Sequence, residues 1–384
     1  MKKNEKVLIW TRAYNAEKTI ERTIESIINQ THTDWIYYVA DNGSTDRTRE
    51  IISQYAKRDA RIQILVSKVN SLVLNRKRYL PVILRNREDA GWLCYIDADD
   101  EYLPDFMEKM LGFVIENNLD IASCGYDRVD DATGKFLERR ELGYNLILEG
   151  RKFAEEFINY RKYTIFGWAK FISMDFFRKA SKYRRGYKYN TRGAKAPKWH
   201  LNYLDTMEAM NLFRRAKRAG VYRESLHRHY QYNKSLVRMF APNRVKNDEI
   251  AFKYHRTYLR AVGGGVISKI NYDFLYAIHL SLLEETLSVI YNANISLPEK
   301  LKNIALMFKN KTTQDMLARD ADPQFRNLAA RGEFLQRVAD WIFAQDEWKE
   351  HREIIAEIIT SMTENFAYQF TLLKKANVLP LTEQ

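Results

Sequence analysis

Cysteine is scarce in this sequence: Cys94 and Cys124 are the only two in 384 residues, far apart and each inside an apolar stretch. That excludes a disulfide framework and a cysteine metal cluster, and fits small buried hydrophobes in a reducing compartment. Long apolar runs are missing too. No stretch approaches the roughly 18 uninterrupted apolar residues that span a bilayer. The N-terminal MKKNEKVLIWTRAYN has a basic start but only four apolar residues before Thr11 and Arg12, too few for the apolar part of a signal peptide. The expectation is a soluble, cytoplasmic protein, or one held peripherally at the inner face of a membrane. There is no internal repeat. Acidic charge is in deficit as well, with 49 Asp and Glu against 62 Lys and Arg, a formal charge of +13. Such an excess favours anionic partners without choosing between nucleotide phosphates, nucleic acid and acidic lipid.

Hydrophobic residues make up 46% of the chain and aromatics 13%, enough for a sizeable core rather than low-complexity disorder. The first 125 residues alternate between strand and helix patterns. Val7–Thr11, Trp35–Ala40, Ile62–Val66, Trp92–Ile96 and Ile121–Tyr126 read as strands. Between them, Ile20, Ile24, Ile27 and Ile28 recur at helical spacing, with Asn15 as the expected N-cap. Ile51, Ile52 and Tyr55 mark a second helix from about Asp46, residues 75–88 a third interrupted by Pro81, and Pro104 the first turn of another. This alternation predicts an α/β fold with a mostly parallel sheet flanked by helices. From about Asn243 the pattern is almost wholly helical, and Gly263–Gly265 reads as a linker or hinge. The expected organisation is a first domain over 1–242 and an all-helical C-terminal domain over 243–384.

In open α/β sheets ligands bind beyond the carboxyl ends of the strands, and two of those ends carry acids. One is Asp41-Asn42-Gly43-Ser44-Thr45-Asp46, after the second strand. The other is Asp97-Ala98-Asp99-Asp100, after the fourth. Folding requires no such crowding of carboxylates, whose repulsion raises the free energy of the empty site. A divalent cation relieves it, because hard metals take carboxylate oxygens and bridge to substrate phosphates. Breaking a sugar–diphosphate bond builds negative charge on the leaving oxygens, which Mg²⁺ or Mn²⁺ stabilises directly.

These motifs resemble those of the large family of inverting GT-A glycosyltransferases called family 2. Val7-Leu8-Ile9 with Tyr14-Asn15 matches its opening, the 41–46 turn its second-strand motif, and Ile96-Asp97-Ala98-Asp99-Asp100 its metal motif. Gly167-Trp168-Ala169-Lys170-Phe171 with Met174-Asp175-Phe176-Phe177 is similar to its acceptor-side segment, and Tyr230-Gln231-Tyr232 with Ser235 to its closing tyrosines. The likeness covers roughly residues 5–240. It implies a GT-A (Rossmann-like) fold and transfer from a nucleotide sugar, with UDP as the nucleotide by family frequency. The acceptor it implies is a growing cell-envelope polysaccharide, a lipid-linked glycan or a protein. It also implies that Ala13 and Tyr14 line the nucleotide pocket, that Asp41 bonds the base, that Asp97 meets the ribose or the metal, and that Asp99 ligates the metal. Arg76, in Asn75-Arg76-Lys77-Arg78, is the nearest equivalent of an arginine that approaches the diphosphate, though the usual glycine before it is missing. Arg12 stands where the family has a proline. The acid that takes the acceptor proton falls on Asp205 in Tyr203-Leu204-Asp205, where the family's preceding glutamate is lost; Glu208 and Asp175 are the alternatives.

His227 and His229 lie on one face of a strand-like segment, and without a third ligand they read as packing or hydrogen bonding. A nucleotidyltransferase shares the layout, but Thr11-Arg12-Ala13-Tyr14-Asn15 has no glycine for a phosphate loop. A nucleic-acid-binding reading would use the stretch from Arg178 to Lys198, with nine Lys or Arg, no acids and interleaved tyrosines. It leaves the strand-end aspartates unexplained, so no nucleic-acid partner is expected. The C-terminal helices are read as packing against the catalytic domain, pairing with a second copy, binding acceptor or attaching to a membrane surface.

Overall fold

The computed structural model describes residues 4–68, 70, 79, 82, 90–182, 204–232 and 240–313. They fall into two compact units, one running up to Tyr232 and one from Phe240 onward. The expected helix over 75–88 lies outside the described residues.

The first unit is built on a ten-stranded sheet. Strands β1 (Val7–Ala13), β2 (Trp35–Asp41), β3 (Ile62–Val66) and β4 (Trp92–Tyr95) pair in the order β3-β2-β1-β4, all parallel. β1 and β2 are buried along nearly their whole length, as strands covered on both faces require. The chain leaves β1 toward β2 and β3, then returns to place β4 on β1's other side. That reversal makes a topological switch point between β1 and β4. Beyond β4 the remaining strands join in mixed directions. β9 (Lys170–Ser173) runs antiparallel between β4 and β6 (Ile121–Asp130), and β10 (Arg218–Gln231) runs parallel to β6. The short strands β5 (Glu101–Tyr102), β7 (Phe136–Arg140) and β8 (Leu146–Glu149) are antiparallel additions. The mixed α/β sheet with flanking helices is the expected fold class; β1 to β4 form the parallel block that the alternation predicts, whereas β6, read as continuing it, is joined to that block through antiparallel β9.

The helix Ile20–Ile28 buries Ile20, Ile24 and Ile27, an i, i+4, i+7 stripe on the sheet. Its N-cap is Thr19 and not Asn15. Asn15 instead takes up a left-handed backbone (φ 50°), and its side-chain oxygen accepts from the Thr45 amide at 2.9 Å. The residue favours both turns and caps, and here the turn won because a second loop lies within reach. The helix after Pro104 begins only at Phe106.

The second unit contains the helices Arg244–Val262, Lys269–Asn292 and Leu297–Lys309, the last two capped by Ser268 and Ser296. Phe252, Leu259, Leu283, Ile290 and Ile304 are in its core. Arg244, 1% exposed, donates to Thr286 and Glu285 at 2.9 Å, and Thr286 donates to Asp248 at 2.6 Å, so the buried charge is fully engaged. Gly263–Gly265, expected as a linker or hinge, is a tight reversal between two helices of this unit. The Gly265 amide closes onto the Arg260 carbonyl at 2.7 Å, with Gly264 and Gly265 at φ 66° and 92°.

Candidate active site

Both acid turns sit at the carboxyl edge of the parallel strands, flanking the end of β1. In the sheet they are two strand spacings apart, about 10 Å. The first turn is stitched to the loop after β1. The Ala13 carbonyl, in register with Asp41, accepts from the Asn42 amide at 2.8 Å. The Asn15 amide donates to Ser44, and the Glu17 amide donates to Asp46. Asp41 is fully buried. It accepts from the Ser44 amide at 2.9 Å and pairs with Arg49 at 2.6 Å. Tyr14, 46% exposed, follows Ala13 and leaves a ring face open to a ligand. The buried side-chain oxygen of Asn42 has no described partner, and it is a further acceptor at this edge that the sequence did not single out.

The second turn is gripped from the helix beneath it. Thr19 donates to the Ala98 carbonyl at 2.9 Å, Arg22 to the Asp99 carbonyl at 2.7 Å, and Thr23 to the Asp100 carbonyl at 2.8 Å. Spacing of i, i+3, i+4 puts these three donors on one helix face, so three successive carbonyls are fixed and the three carboxylates converge. Oxygens of Asp97, Asp99 and Asp100 lie within 4.8 Å of one another.

Their environments differ sharply. Asp100 is fully buried, yet its carboxyl is held well below the usual range. Burial alone would raise it; His227 at 2.9 Å, His229 at 3.3 Å and the Tyr230 amide at 3.0 Å outweigh that. Trp168 stacks flat on His227, with centroids 4.4 Å apart, and also covers His229. Asp99 is pushed up to about 8 and Asp97 to about 6, by burial first and then by the neighbouring carboxylates. Among the described residues no cation pairs with Asp97 or Asp99. An all-oxygen cluster whose charge is only partly offset, by Arg12 near Asp97 and by His229 near Asp99, fits a hard divalent cation. His229, whose ligand nitrogen lies within 4.8 Å of the Asp100 oxygen, could add a nitrogen ligand.

At the switch point itself, Tyr95 donates to Asp97 at 2.6 Å, and Arg12 donates to the same tyrosine oxygen at 3.1 and 3.3 Å. Burial opposes the charged form, but the bond to Tyr95 and the nearby carboxylates of Asp205 and Asp97 hold the Arg12 guanidinium above its ordinary value. Asp205 opens the helix Leu204–Arg215 and is exposed. A Cβ on Gly167 would stand 3.7 Å from the Asp205 carboxyl carbon and 3.6 Å from the Tyr95 ring. Asp205 is thus near enough to Asp97 and Arg12 for their charges to interact, while Ala13 and Asp41 are paired at the ends of β1 and β2. Arg76 lies outside the described residues, as do Ser235 and residues 183–198 of the basic stretch. Arg22 is a site residue the sequence missed. It reaches Asp131 and Tyr232 as well as Asp99, but an arginine on an amphipathic helix carries no signal distinguishing it from a solvated one.

The model of "Glycosyl transferase family 2" matches residues 9–217, more than half of the chain. The chain belongs to that family. Among curated proteins, the putative teichuronic acid biosynthesis glycosyltransferase TuaG of Bacillus subtilis (strain 168) is 34% identical over 121 residues, 31% of this chain and 46% of TuaG. An Escherichia coli enzyme, the UDP-Glc:alpha-D-GlcNAc-diphosphoundecaprenol beta-1,3-glucosyltransferase WfgD, is 25% identical over 139 residues, 36% of this chain and 53% of WfgD. The chain therefore spans about half the length of these relatives. The crystal structure of S. aureus TarS 1–349 superposes with a TM-score of 0.54 at 13% identity, covering 97% of this chain and 92% of that one. At that identity the likeness is one of fold. No described helix is long and apolar enough to cross a membrane.

Proposed function

We propose that this family 2 chain transfers a sugar, with inversion, from a nucleoside-diphosphate sugar to an acceptor hydroxyl. The supporting observation is the convergence of Asp97, Asp99 and Asp100 at the switch point, with Asp205 near enough for its charge to act on Asp97. In this reading residues 1–242 are the catalytic domain and 243–384 a helical domain for packing, self-association or acceptor binding. The base lies against Tyr14 and Ala13, with Asp41 accepting from it, and Asp97 meets the ribose. Asp99 and Asp97 hold the metal. Mg²⁺ or Mn²⁺ there supplies positive charge to the leaving diphosphate. Asp205 takes the acceptor proton as the oxygen attacks the anomeric carbon from the face opposite the departing phosphate. Arg12 and Tyr95 orient the carboxylates on either side of that path. UDP is the proposed nucleotide, in keeping with the UDP-glucose donor in WfgD's name. The teichuronic acid in TuaG's name favours an envelope glycan as acceptor, and the diphosphoundecaprenol in WfgD's name favours one carried on a lipid diphosphate.

The test is calorimetry of nucleotide sugars with and without Mn²⁺, followed by transfer assays on Asp205→Asn. This variant keeps donor affinity within about twofold while transfer falls about 10²–10⁴-fold. Near-normal turnover would move the base to another residue.

A further inference from the structure

The helix Arg244–Val262 carries a feature that donor chemistry does not use. Lys246, Lys253, Arg256 and Arg260 are all exposed and recur at i, i+7, i+10 and i+14. At 3.6 residues per turn they fall within about 80° of arc along about 21 Å of helix. Ala251, His255 and Tyr258, on the opposite side of the helix, are buried, so the stripe faces outward. From Arg244 to Ile270 the chain has six Lys or Arg and only two acids, Asp248 and Glu249. Asp248 is fully buried, and Glu249 pairs with Lys253. Among the described residues, neither Arg256 nor Arg260 has an acidic partner.

The stripe ends on an apolar tip. The three-glycine reversal that follows Arg260 leaves Val266 71% exposed and Ile270 42% exposed, with Lys269 between them. A Cβ on Gly264 or Gly265 would meet nothing within 4 Å, so this corner projects into open space. Folding gains nothing from an exposed valine at a glycine turn. Aliphatic side chains on a projecting corner, continuous with a row of cations, match the two layers of an anionic bilayer surface: phosphate headgroups and the acyl boundary below them.

We propose that this face of the helical unit docks on anionic phospholipid, Lys246, Lys253, Arg256 and Arg260 meeting headgroups while Val266 and Ile270 enter the interface. The surface belongs to the second unit and shares no residue with the proposed donor site in the first, so docking and donor binding are read by separate measurements.

The experiment is co-sedimentation of the full chain with extruded phosphatidylcholine vesicles, with and without phosphatidylglycerol. The wild type binds the anionic vesicles, releases in high salt, and leaves the zwitterionic ones. Arg256→Glu with Arg260→Glu weakens binding at least about tenfold. Val266→Asp with Ile270→Asp weakens it comparably, although it removes no cation. Lys57→Glu with Lys152→Glu, an equal charge change on exposed residues of the first unit, costs less than about threefold. Three outcomes overturn the proposal: no vesicle binding by the wild type, equal losses in the control pair, or tighter binding to generic duplex DNA that the stripe variants abolish. Nucleotide-sugar affinity, measured on the same samples, stays unchanged.

Discussion

The two acid turns both open with an aspartate at the end of a parallel strand and have opposite physics. In the turn after β2, each aspartate carboxylate is answered by the protein. Asp41 holds the Ser44 amide and Arg49, and Asp46 accepts from the Glu17 and Thr48 amides, which bring its carboxyl below the ordinary value despite some burial. In the turn after β4 Asp100 is answered by two histidines and an amide, Asp97 only by the Tyr95 hydroxyl, and Asp99 by no side-chain bond among the described residues. Asp97 and Asp99 are left pressing on each other and on Asp100. The first turn is a finished piece of backbone. The second keeps unrelieved repulsion, and that difference is what sets the proposed metal site apart from the proposed nucleotide wall.

Changing the unanswered acid should have the largest effect. Asp99→Ala removes a ligand and a source of repulsion together. Metal-dependent nucleotide affinity should then fall roughly a hundredfold or more, since even residues behind metal ligands cost 10–100-fold. Stability without metal should hold or rise. Calorimetry and thermal melts check both halves; unchanged affinity would end the metal assignment and blur the contrast between the turns.

Asp100→Asn probes the same turn from its answered side. The asparagine is nearly isosteric but gives up the charge shared with His227 and His229, at a position with no solvent access. Unfolding free energy should drop by about 1.5–3 kcal/mol, the range for a hydrogen bond to a charged group, measured by denaturant titration. A variant as stable as wild type would mean that Asp100 also belongs with the unanswered acids.

A smaller loss is expected in the first turn. Asp46→Ala removes the carboxylate that the Thr48 and Glu17 amides use, so about 1 kcal/mol of stability goes, as for a lost cap. Metal affinity should not change. If it did, the two turns would share one electrostatic site.

The contrast also shows what could be read from the chain alone. The parallel strands were legible because each is a short apolar run ending in a turn, and the acids were legible because they cluster at two of those ends. Neither Thr19, Arg22 and Thr23 nor the His227–Asp100 pair could be paired from sequence. Those bonds span 77 to 127 residues, and polar residues on a helix or strand look the same whether they face water or a buried carbonyl. Asn15 was misassigned for a related reason, since its partner lies 30 residues away. Local signals establish elements, while bonds across the crevice depend on how the strands are ordered.

The smallest effect concerns pH. Asp97 and Asp99 are raised to about 6 and about 8, so the folded chain holds their protons where the unfolded chain has released them. Without metal, these two acids therefore favour the folded state least as pH climbs from about 4 through 8. His229, also raised, acts in the same direction; His227, lowered by burial, acts against it. Divalent metal competes with the protons on Asp97 and Asp99, so its stabilising effect grows over the same interval. The melting temperature gained on adding Mn²⁺ should be roughly 1–2 °C larger near pH 8 than near pH 5.5. Asp99→Ala should flatten that slope, whereas Asp46→Ala, whose carboxylate is already ionised and bonded throughout this range, should leave it intact. A slope that survives Asp99→Ala and disappears with Asp46→Ala would reverse the roles assigned to the two turns.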